Sequence, residues 1–163
     1  MSRLDSFIRR MSAQRLLLDA AAERLVGIDG PIIDLGIGAG RTYDHLVALF
    51  PDREVFAFDN FVQAAVGVLP DAHHMVIGEI RDTLPASLPR LGRRAALIHN
   101  DLGSADAVGN AAIGGWLAPA ILAVARPDAI IVTSFVLPFD KAVSLPLPDG
   151  VAPGRYHLFQ LTV

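Results

Sequence analysis

The sequence predicts an α/β protein built on a mostly parallel sheet. Short apolar runs suited to buried strands alternate with segments of helical spacing through five repeats. The first run, 32–35, continues into a turn with Gly36, Gly38 and Gly40, and a second apolar run about twenty residues later ends in Asp59. A strand, a glycine turn, a helix and a second strand closed by an acid form one nucleoside-binding half of a Rossmann-like sheet. We therefore expect a three-layer α/β/α sandwich.

The N-terminal segment precedes this pattern. Apolar residues recur at mostly helical spacing over 6–26, which predicts one or two amphipathic helices ended by Gly27 and the turn at 29–31. Packing against the core is the favoured role, and a lid over a ligand is the alternative.

The remaining elements follow in chain order. After the strand at 32–35, further strands are expected at 55–58, 74–77, 95–99 and 129–134. The last strand, at 156–163, alternates in polarity and so suits an antiparallel position. Helices are expected at 42–50, 61–68 and 106–124, the last of them one or two helices interrupted by Gly114-Gly115, and 87–91 is a linking segment.

Length and composition predict one domain of residues 1–163, with a helical segment over 1–30 and the core over 31–163. The composition is 52% hydrophobic, with a mean hydropathy of +0.43. We expect no apolar run of the ~18 uncharged residues that a membrane span needs, and the start does not resemble a signal peptide, so we expect no membrane partner and a cytoplasmic location. The surplus apolar surface suggests a homo-oligomer.

Charge and residue usage exclude several site classes. A net charge of −3 without a basic cluster argues against a nucleic-acid partner. The absence of cysteine excludes disulfides, thiolate metal sites and a thiol nucleophile. No metal site is expected, because the adjacent His73 and His74 would point to opposite faces of a strand.

The glycine turn does not match two common nucleotide motifs. Arg41 occupies the position where a dinucleotide loop of the form G-x-G-x-x-G needs its third glycine, which disfavours a NAD-dependent oxidoreductase. No Gly-Lys-Ser/Thr follows the turn, so a P-loop is excluded as well.

The segment from Asp34 to Thr42 resembles the first motif of class I S-adenosylmethionine-dependent methyltransferases, an acid, any residue, then G-x-G-x-G. The resemblance covers roughly 32–135 and implies a small methyltransferase with S-adenosyl-L-methionine as cofactor. It also implies that Asp59 grips the ribose hydroxyls, that Gly78-Glu79-Ile80 holds adenine, and that Asn100-Asp101-Leu102 lines the methyl-transfer pocket. The chain departs from the family after Phe135, where a short proline-rich tail suggests that a strand is missing.

The chemistry of the loop is compatible with this cofactor. Asp34 could attract the methionyl ammonium directly or through water, and Arg41 or Thr42 could meet the carboxylate near a helix N-terminus. Asp59 can accept two hydrogen bonds from a ribose diol. The expected cofactor-binding residues are Asp34, Gly36, Gly38, Gly40, Arg41, Thr42, Asp59, Asn60, Glu79, Ile80 and Asn100. Structural roles stay open for several of them: Asp34 could brace the turn, Asp59 and Asn60 could cap a helix, Glu79 could belong to a turn, and Arg41 could form a surface ion pair.

Methyl transfer mainly requires alignment of the nucleophile, and a general base is needed only if the acceptor must lose a proton. Asp101 is the best-placed candidate, with His99, Tyr43 and His45 as further candidates. Asp101 could instead simply begin a loop, and Trp116 could line an aromatic pocket or pack against the sheet.

The leading hypothesis is therefore a methyltransferase of the EC 2.1.1 type that acts on a small molecule. The alternative is a catalytically inactive module that binds the cofactor, and an oxidoreductase is a weaker third possibility.

Overall fold

A computed structural model describes residues 2–62 and 68–162. In these residues a seven-stranded sheet has the order β3-β2-β1-β4-β5-β7-β6. Five helices accompany it. The strands are β1 (Ile32–Leu35), β2 (Val55–Asp59), β3 (Met75–Ile77), β4 (Ala95–Asn100), β5 (Ala125–Thr133), β6 (Ala142–Ser144) and β7 (His157–Leu161). The helices are α1 (Arg3–Arg24), α2 (Arg41–Leu49), α3 (Ile80–Thr83), α4 (Leu88–Leu91) and α5 (Ala107–Val124).

The first five strands are parallel, and β7 runs antiparallel to both of its neighbours, β5 and β6. Since β1 lies between β2 and β4, the chain leaves β1 toward one edge and returns toward the other. In open sheets of this kind, ligands bind at the carboxyl ends of the strands where the order reverses. That position coincides with the glycine turn after β1.

Alternate residues of each central strand enter two separate cores. Ile32 packs with Leu17 of α1 and Leu46 of α2, whereas Ile33 packs with Leu117 and Ile121 of α5. Because successive side chains of a strand point to opposite faces, α1 and α2 cover one face of the sheet and α3 to α5 the other. The predicted three-layer, mostly parallel sandwich is confirmed.

The N-terminal segment is one helix and not two. It begins with a capping box, in which Ser2 and Asp5 satisfy each other's backbone N–H groups. Leu17, Leu18 and Ala21 are buried in its second half, while its first three turns are mostly exposed. The helix predicted at 61–68 falls largely on residues 63–67, outside the described residues.

Helix α5 corrects two expectations. It continues through Gly114 and Gly115, where a break was predicted, and a Cβ at Gly114 would be in contact with Cδ of Pro138 at 3.4 Å. The helix is also an uncharged run of 18 residues with a mean hydropathy of 1.6, so the expectation that no apolar run is long enough to span a membrane is wrong. By length and composition alone α5 could cross a membrane, but here Leu117 and Ile121 pack on the sheet.

The expectation of a missing strand is also wrong. Both β6 and β7 follow Phe135 and complete an antiparallel pair at the sheet edge. The structure has no helix between β5 and β6 in described residues 134–141. Strand β6 has only three residues in a proline-rich segment, which an edge strand tolerates but which carries almost no periodic signal.

Candidate cofactor and acceptor site

The glycine turn connects the carboxyl end of β1 to the start of α2. Gly36, Gly38 and Gly40 have φ angles of +85°, +49° and +82°, a region that side chains other than glycine rarely adopt. A Cβ at Gly36 would lie 3.0 Å from Cδ2 of Leu102, whereas a Cβ at Gly38 would meet none of the described residues within 4 Å. Gly40 is the N-cap of α2. As far as residues 2–62 and 68–162 show, the turn is open at Gly38, where a ligand can approach the backbone.

Asp59 lies at the end of β2, directly beside this turn. Its Oδ2 accepts from the backbone N–H of Gly38 at 3.3 Å, and its Oδ1 accepts from the N–H of Asn60 at 2.8 Å. A carboxylate offers about four lone-pair positions, so two remain for a ligand. The side chain of Asp59 is partly exposed and Asn60 is exposed. Both are therefore placed where a diol could reach them.

Asp34 lies beneath the turn and not on its open side. Its side chain is fully buried, with Oδ1 2.7 Å from Nδ1 of His99 and Oδ2 accepting from Oγ1 of Thr42 at 3.1 Å. An ionised carboxylate only accepts, so Nδ1 of His99 is the donor. In this conformation Asp34 is 0% exposed and each of its oxygens has a side-chain partner, so its carboxylate does not reach the open side of the turn, and the Thr42 hydroxyl donates to it.

The buried pair affects the titration of His99. Burial lowers the pKa of the imidazole, but the hydrogen bond and charge of Asp34, with a further contribution from the charge of Asp101, outweigh burial and raise the pKa above its ordinary value. The other ring nitrogen, Nε2, is buried without a hydrogen-bond partner in the structure. His99 therefore holds Asp34 in place and does not face the open site.

Arg41 occupies the first turn of α2 and is exposed. Its guanidinium lies 5.6 Å from the centroid of the Phe7 ring, a cation–π distance. The first half of α1 thus lies next to the glycine turn, and the surface ion pair considered for Arg41 is replaced by contact with an aromatic ring.

The segment after β3 meets Asp59 through its backbone. The N–H of Gly78 donates to the carbonyl of Asp59 at 3.0 Å, and Gly78 has a φ angle of +142°. Glu79 is the exposed N-cap residue of the short helix α3. The side chain of Ile80 is in the core, so only its backbone is available on this side.

Asn100 is buried and joins two strand ends. Its Nδ2 donates to Oγ1 of Thr133 at 2.9 Å, and its Oδ1 accepts from the N–H of Leu102 at 3.1 Å. Both polar atoms of its amide are therefore used to shape the loop after β4, which positions Asp101.

A cavity of about 600 Å³ opens beside Asp101. The side chain of Asp101 is 17% exposed, and its Oδ2 lies 3.9 Å from Nη2 of Arg10. A Cβ built on Gly36 would lie 3.8 Å from the Asp101 backbone, so the side of the cavity formed by Asp101 adjoins the glycine turn. Its wall comprises the start of α1, the loops after β4 and β5, the start of α5 and the segment leading into β7. The polar lining residues are Arg10, Asp101, Ser104, Asn110, Ser134, Arg155, Tyr156 and His157.

Tyr156 and Arg155 were missed at the sequence level. Burial and the charge of Asp101 raise the pKa of Tyr156, against the opposing effect of Arg10 and Arg155, so its hydroxyl stays protonated. The Nε atom of Arg155 is buried without a hydrogen-bond partner in the structure. Nothing in the local pattern of the proline-rich tail marks these two residues as neighbours of Asp101.

The other candidate bases lie away from this cavity. The hydroxyl of Tyr43 donates to the carbonyl of Val55 at 3.3 Å inside the core, and Nε2 of His45 lies 3.1 Å from Oδ1 of Asp19, linking α2 to α1. Trp116 packs against the core on the α5 face, in agreement with the packing interpretation.

The expectation that His73 and His74 point to opposite faces of a strand is wrong. His73 and His74 lie in the turn before β3 and not on a strand, so their side chains are not forced to opposite faces. Their rings meet edge to face with centroids 5.0 Å apart.

Comparison with known protein families gives one match over nearly the whole chain. A family model described as S-adenosyl-L-methionine methyltransferase matches residues 1–161. A search of curated protein sequences found no match.

Several solved structures are similar to this chain. The S-adenosyl-L-methionine methyl transferase of Silicibacter pomeroyi DSS-3 is 36% identical over 98% of both chains, with a TM-score of 0.89. The 1,6-didemethyltoxoflavin-N1-methyltransferase of Burkholderia thailandensis, solved with 1,6-didemethyltoxoflavin and S-adenosylhomocysteine, is 16% identical over 93% of this chain and 79% of its own, with a TM-score of 0.53. An rRNA methylase from Streptococcus thermophilus is 12% identical over 90% and 97%, with a TM-score of 0.53. The last two show a shared fold.

Proposed function

The chain belongs to the S-adenosyl-L-methionine methyltransferase family, and we propose that it methylates a small-molecule acceptor bound in the cavity beside Asp101. The observation that carries the proposal is the cavity of about 600 Å³ next to the glycine turn. Pockets for small molecules usually measure roughly 300–1,000 Å³.

The described residues fit S-adenosyl-L-methionine, the cofactor of this family. The open space at Gly38 leaves room for a ligand against the backbone, and Asp59 keeps lone pairs for the ribose diol. When bound, the cofactor supplies a methyl group activated by a sulfonium leaving group. We propose that Gly36 and Gly38 contact its methionyl part, that Asp59 and Asn60 hold its ribose, and that the backbone at Glu79 and Ile80 meets adenine.

In this proposal four further predicted residues position the backbone around the site and do not contact the cofactor: Asp34, Gly40, Thr42 and Asn100. Asp34 holds the start of α2 through Thr42, and Gly40 allows the helix to begin at the turn. Asn100 holds the loop that carries Asp101. Arg41 remains a candidate for the methionyl carboxylate, because it is exposed at the N-terminal turn of α2.

Asp101 is proposed to orient the acceptor and, where the acceptor must lose a proton, to receive it. In the first half of α1, Arg10 lines the cavity and Phe7 lies against Arg41 next to the glycine turn. These two contacts support the lid function considered for this helix. Closure there would exclude water from the transfer step.

The inactive binding module was suggested by the short C-terminal tail and the absence of a substrate insertion. The tail does supply β6 and β7, which supports an enzyme, and turnover distinguishes the two.

The function is tested by titration calorimetry followed by turnover. We expect binding of S-adenosyl-L-methionine and S-adenosylhomocysteine and none of NAD; binding of NAD without S-adenosyl-L-methionine would overturn the assignment. A screen of polar small molecules should then yield one whose addition releases S-adenosylhomocysteine. Methylation of RNA but of no small molecule would contradict the proposed acceptor class.

Asp101→Asn is expected to lower kcat/KM for the acceptor by about 10- to 100-fold, the effect of losing one hydrogen bond to a charged group. Affinity for S-adenosylhomocysteine should not change. Asp140→Asn serves as the matched control, since Asp140 is exposed and lies outside this cavity. Unchanged kcat/KM in the Asp101 variant would remove Asp101 from the proposal.

Gly38→Ala is expected to weaken cofactor binding by about ten-fold or more, because the added methyl group enters the space proposed for the ligand. Gly92→Ala is the matched control: Gly92 also has a positive φ, +70°, and open space around its Cβ position, but it lies at the end of α4. Both variants should lose about 1–2 kcal/mol of stability from the left-handed backbone. Equal cofactor affinity in the two variants would argue against a ligand at Gly38.

The outer face of α5 supports the proposed homo-oligomer. Val108 and Leu122 are 81% and 47% exposed on an uncharged helix, so contact with a second copy would remove apolar surface from water. Light scattering coupled to size exclusion should show a mass above the 17.4 kDa of one chain. A monomer at micromolar concentration would contradict this. A cytoplasmic location stays a prediction.

A further inference from the structure

A cluster of potential metal ligands lies at the amino ends of the strands, whereas the glycine turn lies at their carboxyl ends. Glu54 precedes β2, and His73 and His74 precede β3, so all three meet at the amino ends of these strands. Nε2 of each histidine lies 3.9 Å from Oε1 of Glu54, and the three donor atoms lie within 4.8 Å of one another. Two imidazoles and one carboxylate thus converge on one point.

The histidines are oriented by a carboxylate behind them. Oδ1 of Asp71 lies 2.8 Å from Nδ1 of His74 and accepts from the backbone N–H groups of His73 and His74, both at 2.9 Å. A metal-binding histidine typically donates its other ring nitrogen to such a carboxylate, which fixes the tautomer and orientation of the ring. Nε2 of His74 is therefore presented to Glu54 as an acceptor for a cation.

The turn that carries both histidines is held from two further sides. The guanidinium of Arg90 donates to the carbonyls of His73 at 2.8 Å and Met75 at 3.0 Å. The ring of Phe56 packs against both imidazoles, with centroids 5.6 and 5.1 Å away. The carboxylates of Glu54 and Asp71 outweigh the single charge of Arg90, so the cluster favours a cation.

The donor separations approach those of tetrahedral zinc. Bonds of roughly 2.0–2.2 Å place the donors of a tetrahedral zinc site roughly 3.3–3.6 Å apart. The 3.9 Å from Glu54 to each histidine needs a contraction of a few tenths of an ångström, and the separation of the two histidine donors, within 4.8 Å, needs up to roughly 1.5 Å. The side chains of Glu54 and His73 are 55% and 58% exposed, so they have room to adjust and to leave a fourth position for water.

We propose that Glu54, His73 and His74 bind one Zn²⁺ ion, with Asp71 positioning His74. Imidazole and carboxylate are ligands that zinc accepts. Because the ion would join the start of β2 to the turn before β3, it stabilises this edge of the folded sheet by mass action. The site stands apart from the cavity at Asp101 and does not depend on the proposed methyl transfer.

The test uses the full chain, metal-free and with any purification tag removed. Calorimetric titration with Zn²⁺ should give one site per chain, and Zn²⁺ should raise the melting temperature. His73→Gln and His74→Gln should each weaken binding by more than about ten-fold and abolish the thermal shift. His45→Gln is the matched control, because it removes an imidazole outside the cluster and should leave binding unchanged. Failure of the wild-type chain to bind Zn²⁺ more tightly than about 100 µM, or equal binding by the His73 variant, would overturn the site.

Asp71→Asn tests the positioning role separately. The amide keeps the size of the side chain but removes its charge, and zinc affinity should fall by about 10- to 100-fold at unchanged stoichiometry. Circular dichroism establishes that the variant is folded. Wild-type affinity in a folded Asp71 variant would contradict the role assigned to Asp71.

Discussion

Replacing Asp59 with alanine is expected to weaken binding of S-adenosyl-L-methionine by at least about 100-fold while the protein stays folded. The carboxylate has two lone pairs left after its bonds to Gly38 and Asn60, and a ribose diol would use both. Each hydrogen bond to a charged group contributes about 1.5–3 kcal/mol, and 1.4 kcal/mol corresponds to a factor of ten. The variant also loses the acceptor of the Gly38 N–H, which loosens the turn on the ligand side.

Calorimetric titration of the Asp59→Ala variant with S-adenosylhomocysteine checks this prediction. Asp52→Ala is the control. Asp52 is an exposed acid that lies before the amino end of β2, whereas Asp59 lies at its carboxyl end. Asp59→Asn should lie between wild type and alanine, because the amide keeps one acceptor oxygen. Wild-type affinity in the alanine variant would sink the ribose role of Asp59.

Replacing Asp34 with alanine is expected to lower the free energy of unfolding by about 3–5 kcal/mol, the usual cost of removing one partner of a buried pair. The variant leaves both ring nitrogens of His99 buried without a partner in the structure, since Nε2 has none already. It also removes the acceptor of the Thr42 hydroxyl at the start of α2.

Urea unfolding of Asp34→Ala, His99→Ala and the double variant measures the coupling between the two side chains. Thr42→Val serves as the milder comparison and should cost about 1 kcal/mol, because it removes one hydrogen bond only. Under the proposed function Asp34 has a positioning role, so stability should fall together with cofactor affinity. A variant of wild-type stability that nevertheless failed to bind S-adenosylhomocysteine would instead show that Asp34 contacts the ligand directly.

The strands of the cofactor half were predictable because their patterns are local. The run at 32–35 coincides with β1, and the runs at 55–58 and 95–99 each differ from β2 and β4 by one residue. Such strands are buried on both faces and read as continuous apolar runs bounded by turns. Strand β6 has no comparable signal: its three residues are held in place by pairing with β7.

The side-chain roles were less predictable than the strand positions. An acid before a glycine turn is compatible with either a ligand contact or a buried brace, and His99, 65 residues further along, engages Asp34. The same holds for His73 and His74, whose relative orientation depends on whether strand β3 begins before or after them.

The sequence by itself determined the α/β class, the position of the glycine turn after β1, and the family to which the chain belongs. These features depend on residue type and short spacing, because three residues with positive φ favour glycine and strands buried on both faces are mostly apolar. Only the tertiary structure decided which acids are buried, which stay exposed, and what lines the cavity beside Asp101. Arg10, Asp101 and Arg155 are separated by most of the chain and become neighbours because the parallel sheet gathers its carboxyl ends at one edge while α1 and the C-terminal tail fold back over it.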